Sequence, residues 1–270
     1  MTESTPRQGY LRPRIASLVP SLTELLFALG LGEYLVARTG FCIHPLEEVG
    51  RVPKVGGTKD VNLAKLRRLA PTHVLLNVDE NRRELADALA AGGSDEAPRL
   101  VVTHPRTPAD NLALLDQMRD EFGHLPAVQE RADRLARALG VELAATHASH
   151  GPALRVLYLI WRDPWMTIAR DTYISAMLQR IHWQTLPDTT GGERGAARYP
   201  LVQGTEPWLA QVQLVLLSSE PYRFDAAAVD AAQALCPQAE MCRVDGELLS
   251  WYGVRAIEGL RYLHRLAVSR

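Results

Sequence analysis

Several features that would assign a chain quickly are scarce or missing here. Cysteine is rare: three in 270 residues (Cys42, Cys236 and Cys242), too few and too scattered for a disulfide framework. Cys236 and Cys242 are near enough in sequence to pair, but buried free thiols are their expected state. Excess charge of either sign is absent. A formal net charge of −1 and a pI near 6.7 exclude a general attraction to nucleic acid or an anionic membrane. No apolar run approaches the roughly 20 residues of a membrane helix. The opening MTESTPRQGYLRPRIASLVP has no apolar h-region and no small-residue cleavage site. A cytoplasmic location is therefore expected as the sequence stands, or a periplasmic one if a leader has been removed. Catalytic signatures are missing too: there is no G-x-S-x-G, H-E-x-x-H or C-x-x-C. GGT at 56–58 lacks the Walker spacing, and TTGGERGAA fails G-x-G-x-x-G. No catalytic residue and no required cofactor is implied, and the chain reads as a non-enzyme.

What is present is apolar content, 47% of residues, arranged as repeated strand, loop and helix. Ile15 to Val19 reads as a short buried strand broken by Pro20, with Ser21 and Glu24 as a capping box for the helix LTELLFALG, stopped at Gly30. Further strands are expected at 34–38, HVLLN and RLVVT, and helices at 61–69, within VDENRRELADALAAGG, and from Thr107, with Pro108 in the first turn. This alternation predicts an α/β protein with a mostly parallel sheet. Residues 126–149 break the pattern as one amphipathic stretch, about 24 residues and roughly 36 Å if helical. The alternation then resumes with a strand at 154–160, helices at 173–181 and near 207–211, a strand at 214–217, the helix DAAAVDAAQAL, the strand MCRVD and a closing helix. TTGGERGAARYP reads as a mobile loop. The simplest architecture is two Rossmann-like lobes joined by one long backbone helix: an N-terminal α/β lobe at 1–124, the helix at 125–150, a C-terminal α/β lobe at 151–270, and a ligand cleft between the lobes.

In parallel α/β sheets ligands gather at the carboxyl ends of strands. In the first half those ends carry VPS, GFCIHP, NVDENRR and THPRT, which bring His44, Glu80, Asn81, Arg82, His104 and Arg106. In the second half they carry WRDPW, SSEPYRF and DGELLSWYG, which bring Trp161, Trp165, Tyr222, Trp251 and Tyr252. One polar wall and one aromatic wall suit a large planar ligand with polar edges. Each residue also has a plainer role. The tryptophans can close a sheet edge, Cys42 can be a buried filler, and the histidines at 73, 124, 147, 150, 182 and 264 fit helix faces or loops. His44, Glu80 and His104, with Asp171, could offer nitrogen and oxygen donors to a metal, though nothing in their spacing specifies a site.

The segments RIASLVPSLTELLFALGLGEYLVARTGFCIHP and VPKVGGTKDVNLAKLRRLAPTHVLLN resemble the helical-backbone, class III periplasmic binding proteins of vitamin B12, iron–siderophore and haem ABC importers. The family pattern carries a P-S-x-T-E helix and an N-L…L-x-P element, and the long amphipathic stretch falls where the family has its backbone helix. VGGTKDVN, ENRRE and YLIWRDPWM are most similar to the cobalamin-binding subgroup. The resemblance covers about Arg14 to Leu266. It implies ligand contacts at Pro20, Ser21, Phe41, Cys42, His44, Glu80, Asn81, Arg82, Trp161, Arg162, Trp165, Tyr222 and Trp251, with indoles against a corrin face and Arg162 at a polar edge.

The resemblance also implies docking to a permease through one acidic residue per lobe. Ala64 stands at the first of these positions and Glu206 at the second. A monomer is expected, since the faces of the long helix give no dimer seam. Three functions follow as alternatives: an importer's receptor for a corrinoid or related metal complex; a cytoplasmic binder of a corrinoid, haem, siderophore or metal ion; and a chelatase-like enzyme using His44 or His104 beside Glu80.

Overall fold

The computed structural model describes residues 12–91, 97–147 and 151–269. It divides into two compact units, one ending at His104 and the other beginning at Pro105. The first unit contains β1 (Ile15–Ser17), α1 (Pro20–Ala28), β2 (Leu35–Arg38), α2 (Leu46–Val49), α3 (Leu63–Arg68), β3 (His73–Asn77), α4 (Arg83–Ala90) and β4 (Arg99–Thr103). The second contains α5 (Asp110–Phe122), α6 (Val128–His147), β5 (Leu154–Leu159), α7 (Tyr173–Gln179), β6 (Trp183–Thr185), β7 (Leu214–Ser218), α8 (Ala226–Leu235), β8 (Glu240–Val244), α9 (Gly246–Ser250) and α10 (Arg255–Val268).

Each unit is built on a four-stranded sheet, in order β2-β1-β3-β4 and β6-β5-β7-β8, with every strand pair parallel. The central strands are continuous apolar runs because helices cover both faces of such a sheet. Val74, Leu75, Val156, Leu157, Val215 and Leu216 are fully buried, and each such side chain stabilises the fold by about 1.5–3 kcal/mol relative to exposure. In the second unit α6 packs against α5 and α10. Buried Asn111 fixes the start of α5 by donating to the Tyr173 hydroxyl at 3.1 Å and accepting from the Gly253 amide. Both α5 and α6 therefore group with the second sheet, whereas the sequence places the first lobe's end at 124 and the joining helix at 125–150.

Several local expectations are corrected. Ser21 is not a capping residue: Val19, at φ −138°, is the N-cap of α1, no side chain caps it, and Pro20 stands at the start of the helix, where its missing N–H costs nothing. Pro108 precedes α5, whose opening is held instead by the Asp110 carboxylate, accepting from the amides of Arg106 and Thr107 at 2.8 and 2.9 Å. The TTGGERGAARYP segment is pinned. Its Gly191 amide donates to Asp171 at 2.8 Å, Arg198 is 1% exposed, and residues 198–202 pair with 165–169 through the amides of Thr167, Ala169 and Val202. The long helix runs from Val128 to His147. Its expected end at Ser149, and the glycines expected to end α4, lie outside the described residues. The three cysteines are free, Cys42 and Cys236 being buried.

Candidate functional site

The carboxyl end of β5 carries the most exposed aromatic in the chain's second unit. After Leu159 the backbone turns through Trp161 and Asp163, which has φ +62°, and returns as an antiparallel bridge from Trp161 to Met166. Met166 bridges in turn to Leu201, so a small ribbon extends beyond the sheet. Trp161 is 40% exposed and Leu201 is 55% exposed. Tyr222, from the loop after β7, meets the Trp161 ring edge-on at a centroid distance of 5.4 Å. Behind them lies a second tier. Phe224 is buried, stacks on Trp165 at 6.3 Å and meets Tyr222 edge-on at 4.9 Å. The Arg162 guanidinium lies over the Trp165 ring at 5.7 Å and 3.7 Å from the Asp163 carboxylate. Edge-to-face and offset pairs of this kind are worth about 0.5–1.5 kcal/mol each beyond burial. The outcome is an apolar shelf, stiffened from below, with a cation at its margin.

Trp251, expected on that shelf, belongs elsewhere. It is 8% exposed, donates its indole N–H to the Glu220 carboxylate at 2.8 Å, and lies under the Arg255 guanidinium at 5.0 Å. Glu220 also accepts from the Ser250 hydroxyl at 2.9 Å. Burial raises the Glu220 pKa, and the two donated hydrogen bonds offset part of that rise. Tyr252 is likewise buried, edge-on to Tyr173. Asp171 ties the Gly191 turn. Burial would raise its pKa, but the backbone amides and Arg198 bring it below the usual carboxylate value. Arg106 stands 4.0 Å from the same carboxylate. Glu206 accepts from the amides of Gln203 and Gly204 at 2.7 and 2.8 Å, which hold its pKa down against burial.

In the first unit the polar candidates are mostly braces. Asn81, 8% exposed, accepts from the Asn77 amide at 2.9 Å and donates to the carbonyls of Thr58 at 3.0 Å and Leu18 at 3.2 Å, so it fastens three loops. Cys42 is fully buried beside Thr39, and that burial raises its thiol pKa. Pro20 and Ser21, at the start of α1, are also buried. Phe41, by contrast, is 63% exposed, with Ile43 and Leu46 exposed beside it in sequence. His44 is half-buried ahead of a cis proline, and Glu80 is half-buried behind the Asn77 side chain, which accepts its amide. Arg82 is exposed, 3.6 Å from Asp60. Lys59 donates to the Asp79 carbonyl at 2.6 Å, and burial lowers its pKa against the pull of Glu80 and Asp79. His104 turns Nε2 toward Asp79 Oδ2 at 3.5 Å, with the two side chains only 21% and 16% exposed.

The expected metal cluster of His44, Glu80 and His104 is not assembled: among the described residues no group of three or more His, Cys, Asp or Glu could hold an ion. His104 faces Asp79 instead, and Asp171 is engaged by Arg198 and Gly191. Leu201, Met166, Phe224 and Glu220 were not expected at the site. Leu201 and Met166 carry no signal beyond following a turn, and Phe224 has only its place in SSEPYRF.

Two parallel α/β units, one of them with an exposed aromatic shelf at its strand ends, set the class of fold. Comparison with known proteins finds solute receptors. No family model matches. The chain is 35% identical to a vitamin B12-binding protein of Yersinia pestis, with 83% of this chain and 85% of that one covered. It is 29% identical to an ABC transporter substrate-binding lipoprotein of Bacillus subtilis, over 63% of this chain. It spans about half of that longer relative, 54%. Among solved structures, the periplasmic vitamin B12 binding protein of Vibrio cholerae aligns with a TM-score of 0.75 at 18% identity, covering 96% of this chain and 98% of that one. A periplasmic heme-binding protein from Roseiflexus aligns at 0.73 and 22% identity, covering 95% and 97%. The chain belongs to the class III substrate-binding proteins of ABC transporters, the family of the vitamin B12-binding proteins.

Proposed function

We propose that this protein captures a planar metal–macrocycle, a corrinoid before haem, for an ABC importer. The observation that carries the ligand class is the exposed Trp161–Tyr222 pair backed by Trp165 and Phe224, an apolar surface suited to a flat ring system. Arg162 at its margin supplies a charge for a phosphate or amide edge. The vitamin B12-binding relative at 35% identity supports the corrinoid over other flat ligands. Among the described residues no helix is long and apolar enough to cross a membrane. The periplasmic and lipoprotein relatives favour work outside the cytoplasmic membrane, which fractionation of the native protein tests. Docking through Glu206 is part of the proposal, since the Gln203 and Gly204 amides keep its carboxylate ionised at a surface turn.

The test is a titration of purified protein with cyanocobalamin, diaquocobinamide, ferric haem and a ferric siderophore, read by tryptophan fluorescence and calorimetry. Saturable quenching by a corrinoid is expected. Silence with all four, in both readouts, would remove the ligand class altogether.

A further inference from the structure

We propose that the outer edge of β8 is a self-complementary interface through which two copies of this chain pair, joining their second sheets edge to edge. The inference goes beyond the ligand reading, does not depend on it, and replaces the monomer expected from the sequence.

The backbone of β8 is open on one side. β8 ends the sheet order β6-β5-β7-β8, so only β7 pairs with it. The Glu240 amide donates to the Gln213 carbonyl, and the Val244 carbonyl accepts from the Ser219 amide. Alternate residues of a parallel strand face the same neighbour. Residues 240, 242 and 244 therefore turn to β7, while the amides and carbonyls of Met241 and Arg243 point outward. Among the described residues those outward groups meet nothing but the Cys242 thiol, 3.6 Å from the Arg243 carbonyl. The outer edge of β2 differs: the Arg38 amide donates to the Pro53 carbonyl, and its carbonyl accepts from the Val55 amide. An open row like that of β8 is a template for another strand.

The side chains beside the row decide which strand. Met241 and Arg243, with Leu217 of β7 and Ala226, Val229 and Asp230 of α8, line a groove of about 310 Å³. Leu217 is buried, Val229 and Met241 are half-buried, and Asp230 and Arg243 are exposed. Neither of these two charges has an ion-pair partner among the described residues. A lone arginine on an edge discourages an arbitrary strand. A second copy removes that objection. In sequence α8 follows the carboxyl end of β7, so it runs back along the sheet from there. Ala226 is thus level with Arg243. Asp230, one turn or about 5.4 Å further, is level with Met241, which precedes Arg243 by two residues or about 6.6 Å. Antiparallel pairing centred on Cys242 sets the second copy's Arg243 opposite Met241, and hence level with Asp230. The two-fold axis repeats the match, so each free arginine gains a free carboxylate. The backbone fits the same register. Met241 and Arg243, the residues facing outward, fall in hydrogen-bonded pairs, and Cys242 faces the second copy's Cys242 in a non-hydrogen-bonded pair with Cα atoms about 4.5 Å apart. That spacing is within disulfide reach.

Sedimentation velocity over a range of protein concentrations, on the full chain without ligand, tests the pairing. Wild type is expected to pass from monomer to dimer as concentration rises. Asp230→Arg and Arg243→Asp each set like charges against one another across the two-fold axis and should weaken the dimer at least about tenfold. The combined Asp230→Arg/Arg243→Asp variant restores opposite charges and should recover it. Diamide, which takes up the two protons and two electrons of a thiol pair, should convert the wild-type dimer to a covalent one that Cys242→Ser abolishes. A chain that stays monomeric at every concentration overturns the proposal. So does a dimer indifferent to the charge variants, or a covalent dimer that survives Cys242→Ser. None of these outcomes bears on the ligand titration, whose failure would in turn leave the dimer standing.

Discussion

The two units carry the same sheet, with strand orders that correspond one for one, yet their carboxyl-end loops have opposite chemistry. In the second unit the loops end in rings: Trp161 and Tyr222 in front, Trp165 and Phe224 behind. In the first they end in amides and charges that mainly hold each other: Asn77 and Asn81 close hydrogen bonds within their own loop, and Asn81 and Lys59 close others between neighbouring loops. One topology thus yields an adhesive surface in one place and a rigid polar frame in the other. Strand order dictates where loops gather, and side-chain type alone decides what they do there.

The largest expected effect falls in the second unit. A Cβ on Gly191 would lie 2.4 Å from Arg198 Cα and 2.5 Å from its backbone nitrogen, and backbone cannot yield as a flexible side chain does. Gly191→Ala should therefore cost about 3 kcal/mol, at the upper end for overpacking. A chain of this size would then melt roughly 6–12 °C lower in a calorimetric scan. An unchanged melting temperature would mean that the 189–200 segment is not pinned.

Next comes the first unit's frame. Asn81→Ala strips partners from the Asn77 amide and from the carbonyls of Leu18 and Thr58. A loss of about 2 kcal/mol in denaturant unfolding is expected from leaving such groups unsatisfied. If Asn81→Ala instead abolished ligand binding with stability intact, the frame would be a contact surface and the contrast between units would dissolve.

A smaller effect depends on pH. The folded-state pKa of Glu220 is raised above its ordinary 4.5 by burial, so the folded protein holds this proton longer than the unfolded chain. The stability associated with it is fully present below pH 4.5 and declines as pH rises through the folded value. Glu220→Gln keeps an acceptor for the Trp251 indole and the Ser250 hydroxyl but cannot titrate. The difference in melting temperature between wild type and Glu220→Gln should shift in the variant's favour across that window. A difference constant with pH would show that Glu220 is not desolvated.

The smallest is Ala64→Glu. Ala64 is exposed on α3, and the substitution should change stability by no more than about 0.5 kcal/mol and leave ligand affinity unaltered. Thermal scans and ligand titration check both; a changed affinity would place α3 at the ligand surface.

Much of the fold was legible because its strands are unbroken apolar runs. HVLLN and RLVVT match β3 and β4 residue for residue, and the strand expected from Leu154 is β5, ending one residue early at Leu159. Shorter or less apolar elements escaped. β6 is three residues, WQT, with one polar position, and α9 is hidden in DGELLSWYG because five residues give no helical period. The Ser21–Glu24 pattern mimics a capping box, but the proline beside it takes the first helical position and shifts the cap to Val19. The aromatic shelf was half legible. Trp161, Trp165 and Tyr222 follow from loops at strand ends, whereas Leu201 reaches it through a bridge that no local pattern announces. Trp251 shares the same sequence setting as Trp161, yet Glu220, 31 positions away, pulls it inward.

The central claim is that ligand affinity resides in the second unit's exposed rings. The most direct measurement is calorimetric titration of diaquocobinamide into wild type, the Trp161→Ala/Tyr222→Ala double variant and Phe41→Ala. With aromatic anchors commonly worth about 2 kcal/mol each, affinity in the double variant should fall on the order of 100-fold or more. Phe41→Ala, lacking any such stacked support, should lose only about threefold. A double variant that binds like wild type, or a Phe41→Ala loss as large as the double variant's, would contradict the account.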